Sequence, residues 1–195
     1  KQPFRKPLVV MTPKSMLRLP QARSTTRELV DGRFHTVLDD PNADEAKVNE
    51  LLLCSGKIYY ELDARRQDLG RDDIAIVRME QLYPLDLDAL RTILARYGSP
   101  QQIRWVQEEP ENSGAWRYMQ AMLERNLNLR LQYVGREENS SPAVGSSKIS
   151  DQEHHAILEE AIGPAPKKAN TSKKSVARTS SKRRKRTGTR KKKAS

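Results

Sequence analysis

Cysteine is nearly missing from this sequence: Cys54 is the only one in 195 residues. A single thiol builds neither an internal disulfide framework nor a thiolate zinc cluster. Long apolar runs are missing as well. Leu8 to Met11 and Leu51 to Cys54 are among the longest, at about four residues, whereas a membrane-spanning helix needs about 20. No apolar signal-peptide core stands at the N-terminus. The cell interior is therefore the expected location, and the glycosylation-like triplets at Asn139 and Asn170 carry little weight. Glycine-spaced phosphate or dinucleotide loops, a nucleophile elbow and a His-Glu-x-x-His zinc pattern are all absent. The first residue is Lys rather than Met, which reads as a piece of a longer protein.

Charge is abundant, and its distribution matters more than its total. The formal net charge is +11, from 36 basic and 25 acidic residues. Residues 164–195 hold 14 Lys or Arg and no Asp or Glu, which leaves 22 basic against 25 acidic in residues 1–163, a net of −3. The body is mildly acidic and long enough to bury a core. Residues 164–195 have no aromatic side chain and few large apolar ones. Such a segment cannot offset its ordering entropy and is expected to be a disordered Lys/Arg-rich tail. Its charge suits nonspecific contact with a polyanion, although it has no aromatic ring for base stacking.

Within 1–163 the pattern alternates. Leu8 to Met11 suits a buried strand, and Thr12-Pro13-Lys14-Ser15 a helix start with proline in the first turn. A short helix is expected near Thr26 to Val30 and an edge strand at Phe34 to Leu38. Strand Glu50 to Cys54 leads through Ser55-Gly56 to a helix from Lys57 to about Leu69, closed by Gly70. Asp73 to Met79 is a strand, Asp86 to Tyr97 a helix, Ile103 to Val106 a strand, Ser113 to Asn126 a helix. Leu129 to Val134 is the last strand and Asp151 to Ile162 a closing helix. Several strands are apolar on both faces. The expected fold is an α/β domain: an open, doubly wound, mainly parallel sheet of about five strands with helices on both faces.

Ligands of such sheets lie beyond the carboxyl ends of the strands. At one of these, Lys14 and Ser15 sit on a strand-to-helix turn with Arg5 and Arg18 nearby, an arrangement suited to an anion. A plain helix cap with solvated cations is the simpler alternative. Ser55-Gly56-Lys57 reads as an ordinary turn. The crowded Glu108, Glu109 and Glu111 either hold a cation or pair with Arg104, Arg117 or Arg136. His154 and His155 are adjacent and point about 100° apart on a helix, so they are read as surface or packing residues. Cys54 reads as an inert small hydrophobe. No catalytic or metal-binding set emerges from the residues themselves.

Longer strings are more specific. Phe4-Arg5-Lys6-Pro7-Leu8-Val9-Val10-Met11-Thr12-Pro13-Lys14-Ser15, Cys54-Ser55-Gly56-Lys57-Ile58-Tyr59-Tyr60 and Arg78-Met79-Glu80-Gln81-Leu82-Tyr83-Pro84 occur in that order. Trp105-Val106-Gln107-Glu108-Glu109-Pro110-Glu111-Asn112-Ser113-Gly114-Ala115-Trp116 follows, then Tyr133-Val134-Gly135-Arg136 and Ser141-Pro142-Ala143-Val144-Gly145. Together they resemble the C-terminal, transketolase-C-like domain of the 2-oxoglutarate dehydrogenase decarboxylase component, including its multifunctional forms. Val144 stands where that family usually has Thr, and the basic tail has no counterpart in typical relatives.

The resemblance implies that the full-length enzyme decarboxylates 2-oxoglutarate on thiamin diphosphate and Mg, and passes the succinyl group to a lipoyl-bearing succinyltransferase. It implies that the cofactor is bound outside this chain, with none in this fragment, which alone is inactive. It implies a homodimer supported by this domain, a nucleotide or acyl-CoA effector, and a cytoplasmic setting, or the mitochondrial matrix in a eukaryote. Arg5, Lys14, Ser15 and Arg18 are the effector-binding candidates. The expected division is residues 1–163 as the α/β domain and 164–195 as the tail. The competing function is a polyanion- or nucleic-acid-binding protein acting through that tail.

Overall fold

The computed structural model describes residues 4–164 except Leu8 and Ser99. The expected tail, apart from Pro164, lies outside the described residues. Five strands form one sheet in the order β1-β3-β2-β4-β5. They are β1 (Val37–Leu38), β2 (Glu50–Cys54), β3 (Ile74–Met79), β4 (Gln102–Pro110) and β5 (Gln132–Arg136). Strands β2 to β5 run parallel, and β1 joins the β3 edge antiparallel. The helices are α1 (Thr26–Asp31), α2 (Ile58–Leu69), α3 (Leu87–Arg96), α4 (Trp116–Leu127) and α5 (Ser147–Ala161). From β2 the chain winds outward to β3, then returns past β2 to β4. The winding direction therefore reverses between β2 and β4.

Strand periodicity splits the core in two. Leu51 and Leu53 face one side with Ala75, Val77 and Trp105, under Leu90 of α3 and Trp116, Met119 and Leu123 of α4. Leu52 and Cys54 face the other with Ile74, Ile76 and Val106, under Ile58 and Leu62 of α2 and Ile157, Leu158 and Ala161 of α5. Burial on both faces explains why β2 and β3 read as unbroken apolar runs.

The helix ends follow the expected chemistry. Gly70 closes α2 at φ 61°, a left-handed conformation costly for any residue with a Cβ. Asp86 caps α3 by accepting from the Ala89 N–H at 3.0 Å. The last turn of α5 leaves carbonyls without helical partners. Arginines from three other places supply them: Arg65 donates to Gly163 O (2.8 and 2.9 Å), Arg71 to Ile162 O (2.6 Å) and Arg104 to Glu160 O and Ala161 O (2.8 and 2.9 Å). Their positive charge also complements the helix C-terminus.

The N-terminal strand is the main correction. Val9, Val10 and Met11 form no strand and are 81%, 68% and 90% exposed. The β3 edge is taken by β1, Val9 to Met11 join no strand of the sheet, and hydrophobicity alone does not make a ladder. The helix expected after Pro13 shrinks to two three-residue 3-10 turns, Met16–Arg18 and Pro20–Ala22. The edge strand expected at Phe34 to Leu38 keeps only Val37 and Leu38, with Phe34 exposed. The strand count of five holds, and so do the helices on both faces.

Candidate functional site

The winding reverses between β2 and β4, and open α/β sheets place ligands in the crevice beyond the carboxyl ends of the strands at such a reversal. Four charged side chains meet there. Lys57, after the β2 turn, pairs with Glu108 near the end of β4 and lies 4.0 Å from Glu61 on α2. His154 on α5 pairs with Glu61 through Nε2, and its Nδ1 lies 3.8 Å from Glu108. The cluster ties two helices and a strand from both sides of the reversal.

Glu61 raises the His154 pKa above its usual value, chiefly through the hydrogen bond, and the same bond lowers that of Glu61. The raised His154 value stabilises the fold below the unfolded histidine pKa of about 6.5, and that contribution fades as pH rises through the folded value. The lowered Glu61 value stabilises above the ordinary carboxylate range and fades as pH falls through the folded value. Between these limits both partners are charged. The pair is partly exposed, so its worth is at most about 1 kcal/mol. Substituting Glu61→Gln is expected to lower the His154 titration midpoint, followed by imidazole NMR. An unchanged midpoint would break the assignment of Glu61 as the partner.

Beside the cluster lies a cavity of about 220 Å³ lined by Glu108, Arg136, Pro142, Glu153, His154 and Ile157, among others. Arg136 donates to Pro142 O at 3.0 Å, and its Nε lies 2.6 Å from Glu153. At the end of β3, Arg78 stacks over the Tyr59 ring at 4.3 Å and pairs with Glu80 at 3.6 Å. Gln81 donates to Pro84 O at 2.7 Å and leaves Tyr83 82% exposed.

The segment after β4 turns on one amide. Gln107 is buried. Its Oε1 accepts from the Trp105 indole N–H (2.8 Å) and the Trp116 backbone N–H (3.0 Å). Its Nε2 faces Ser113 O, Pro110 O and Glu109 O at 2.8, 3.0 and 3.2 Å. Gly114 packs so closely that a Cβ there would lie 3.0 Å from both Gln107 amide atoms, at φ 67°. The Trp-x-Gln and Gly-Ala-Trp parts of the long string thus shape the rim of the crevice through hydrogen bonds and close packing.

The expected ion pairs of this segment are revised. Glu108 pairs with Lys57 and His154 rather than with an arginine. Arg104 goes to Glu50, Arg117 to Glu138 and Arg136 to Glu153. Cys54 is fully buried and its thiol is pushed up to about 12 by burial, which fits the inert role expected of it. His155 rests its Nδ1 2.6 Å from Asp151 O.

Arg5, Lys14, Ser15 and Arg18 are all exposed. Ser15 precedes a three-residue 3-10 turn and makes no side-chain cap. The strand and helix that were to present them to an anion do not form, because the apolar run before them is unpaired.

Sequence reasoning missed Asp40 altogether. Its side chain is fully buried and pairs with Arg66. It also accepts from the N–H groups of Ile76 (2.8 Å) and Asn42 (2.9 Å). Arg66 donates onward to Asp63 (2.6 Å) and Ile74 O (3.0 Å). A lone Asp-Asp pair in an acidic loop gives no signal for this. The i, i+3 spacing of Asp63 and Arg66 was the only legible part.

Comparison with known proteins agrees with these strings. The family described as 2-oxoglutarate dehydrogenase C-terminal matches residues 23–162. The 2-oxoglutarate dehydrogenase E1 component of Azotobacter vinelandii is 44% identical over 167 residues, covering 83% of this chain and 18% of that protein. Oxoglutarate dehydrogenase of Buchnera aphidicola is 43% identical over 162 residues, covering 82% and 18%. The 2-oxoadipate dehydrogenase complex component E1 of Rattus norvegicus is 42% identical over 158 residues, covering 80% and 17%. The chain thus spans less than a fifth of the length of these relatives. A solved split-gene transketolase, an inactive β4 tetramer, superposes with a TM-score of 0.50 at 14% identity, over 68% of this chain and 42% of the other. That likeness speaks for the transketolase-like fold alone. With the family match running from α1's approach to the end of α5, and identity above 40% across the sheet and its carboxyl-end loops, this chain belongs to the 2-oxoglutarate dehydrogenase C-terminal family.

Proposed function

We propose that the chain acts as the C-terminal, dimer-supporting and regulatory domain of a 2-oxoglutarate dehydrogenase E1 component. The observation that carries this is the family match over residues 23–162. The full-length protein would decarboxylate 2-oxoglutarate on thiamin diphosphate and Mg and hand the succinyl group to a lipoyl-bearing succinyltransferase. Relatives of similar identity bear both the 2-oxoglutarate and the 2-oxoadipate name, so the oxo acid is a matter for the whole enzyme.

The carboxyl-end crevice does not suit the cofactor. A diphosphate-bound Mg ion calls for free oxygen ligands. Here Glu108 is held by Lys57, Glu61 by His154 and Glu153 by Arg136. No step of the reaction is therefore assigned to these residues, and the cofactor belongs with the part of the enzyme that this chain does not span. The similarities favour this reading over a polyanion-binding protein, and the basic segment takes no part in it. No helix among the described residues is long and apolar enough to cross a membrane; a cytoplasmic or matrix setting is part of the proposal.

Effector binding at Arg5, Lys14, Ser15 and Arg18 rests on charge, since three cations and a hydroxyl share one exposed stretch. The test uses the full-length enzyme. It is expected to turn over 2-oxoglutarate in preference to 2-oxoadipate, and a lack of turnover with either would overturn the enzyme class. Arg18→Ala is expected to raise the half-saturating acetyl-CoA or AMP concentration roughly ten- to a hundredfold, the loss of one charge-assisted hydrogen bond. An unchanged constant would remove the effector assignment while leaving the enzyme class intact.

A further inference from the structure

Helix α5 is fastened unevenly. Its last two turns bury Ile157, Leu158 and Ala161, and Arg65, Arg71 and Arg104 hold the carbonyls at its end. Its first half has no such footing. Ser147 to Gln152 are all exposed, and Glu153 and His154 are half-buried. Ser146 makes no side-chain cap, so it satisfies none of the first N–H groups. The chain before the helix is pinned at Asn139, whose N–H donates to Asn112 Oδ1 at 3.1 Å and whose carbonyl accepts from Asn112 Nδ2 at 2.9 Å. Residues 142–154 therefore span two firm points, Asn139 and Ile157. Pro142, Ala143, Val144, Ser150, Glu153 and His154 of this span form one wall of the cavity beside the charged cluster.

Among the described residues, two polar ties join that wall to the elements facing it. Arg136 of β5 donates to Pro142 O and pairs with Glu153, and its guanidinium keeps its charge at any working pH. His154 is the other tie, and imidazole titrates near neutrality. The charged groups around it come from every neighbouring element. Lys57 and Glu61 face it from the start of α2, and Glu108 from β4. Glu109 of β4 and Arg136 of β5 line the same cavity. On its own helix, Glu153 is taken by Arg136, and His155 turns its Nδ1 to Asp151 O. With His154 protonated, Lys57 and His154 balance Glu61 and Glu108. With His154 neutral, the same group keeps one unmatched negative charge.

We propose that residues 142–154 are a lid over this cavity, held shut while the His154 imidazolium lies between Glu61 and Glu108 and released when it gives up its proton. The Glu61 hydrogen bond sets the direction, since it raises the His154 pKa above the ordinary value against the effect of burial. Closure is therefore complete below the unfolded histidine value of about 6.5 and is lost as pH rises through the folded one. Release leaves the sheet, α2 and the last turns of α5 in place, because those contacts are apolar or involve arginine.

Amide hydrogen exchange reads such local opening directly. It is measured peptide by peptide on the full-length protein, from about pH 6 to about pH 8.5, with rates corrected for the intrinsic pH dependence of exchange. Residues 142–154 are expected to lose protection roughly fivefold across this range, the equivalent of about 1 kcal/mol for a partly exposed ion pair. Residues 157–162 are expected to keep theirs and serve as the internal reference. His154→Gln retains an N–H donor for Glu61 without the charge, so it is expected to hold residues 142–154 at the high-pH level throughout. A single corrected rate for residues 142–154 in the unsubstituted protein would overturn the lid. The same pH response in His154→Gln would assign the response to another group and overturn it too. Parallel loosening of residues 157–162 would mean that the whole domain weakens, with no lid. The readout does not involve oxo-acid turnover, so the lid and the enzyme reading stand or fall separately.

Discussion

Asp40→Ala is expected to destabilise the folded chain by about 3–5 kcal/mol, the cost of stranding one member of a buried ion pair. The Asp40 carboxylate is inaccessible, and its two oxygens serve the Arg66 guanidinium and the N–H groups of Ile76 and Asn42. Alanine removes all of these acceptors at once. Arg66 is left with Asp63 and one carbonyl, while its side chain stays 7% exposed. The Ile76 N–H lies in the centre of β3, on the side of the β1 edge. Total stability of a domain of this size is about 5–15 kcal/mol, so the variant should approach the limit of folding. Denaturant titration with an unchanged slope and a lower midpoint is the expected record. Combining Asp40→Leu with Arg66→Met should recover much of the loss, because an apolar pair no longer carries a buried charge. If Asp40→Ala alone shifts the midpoint by less than the equivalent of about 1 kcal/mol, the pair is not buried as described.

Gln107→Leu should be nearly as damaging, by about 2–5 kcal/mol, although leucine is apolar and similar in size. It leaves the Trp105 indole N–H and the Trp116 backbone N–H without their acceptor, and three carbonyls without their donor. Trp105 and Trp116 both belong to the core face under α3 and α4, so the damage spreads into packing. Gln107→Glu gives a sharper test. It keeps acceptors for the two N–H groups and sets a carboxylate against the three carbonyls. Its stability should therefore improve as pH falls and the acid protonates, opposite to the acid loss expected at Glu61. A Gln107→Glu variant with flat pH dependence would show that the amide nitrogen is not bound as described.

Much of the fold was legible because two periodicities and a few stop signals agree. Leu51 to Cys54 and Ile74 to Val77 are apolar on both faces, which only a covered parallel sheet explains. Gly70 and Asp86 mark helix ends by chemistry that does not depend on the rest of the chain. Val9 to Met11 has the same local character as β2 yet joins no strand, because pairing is a property of the whole sheet, and the place beside β3 is taken by Val37 and Leu38. The strand-to-helix turn that was to frame Lys14 and Ser15 depended on that strand, so the proposed effector site there rests on charge alone.

The sequence by itself determined the family, through strings long enough to be specific, and the alternation that makes an α/β domain. It also read Cys54 as a buried small hydrophobe, and the structure buries it fully. Only the tertiary structure decided which charges meet. Lys57, Glu61, Glu108 and His154 come from three elements separated by up to 97 positions, and Asp40 reaches Arg66 across 26. Charge pairing depends on distances of a few ångströms, set by how helices cross a sheet, and residue order does not contain them. The same holds for Gln107, an amide just ahead of Glu108 and Glu109 in the chain but a buried hydrogen-bond junction once Trp105 and Trp116 fold against it.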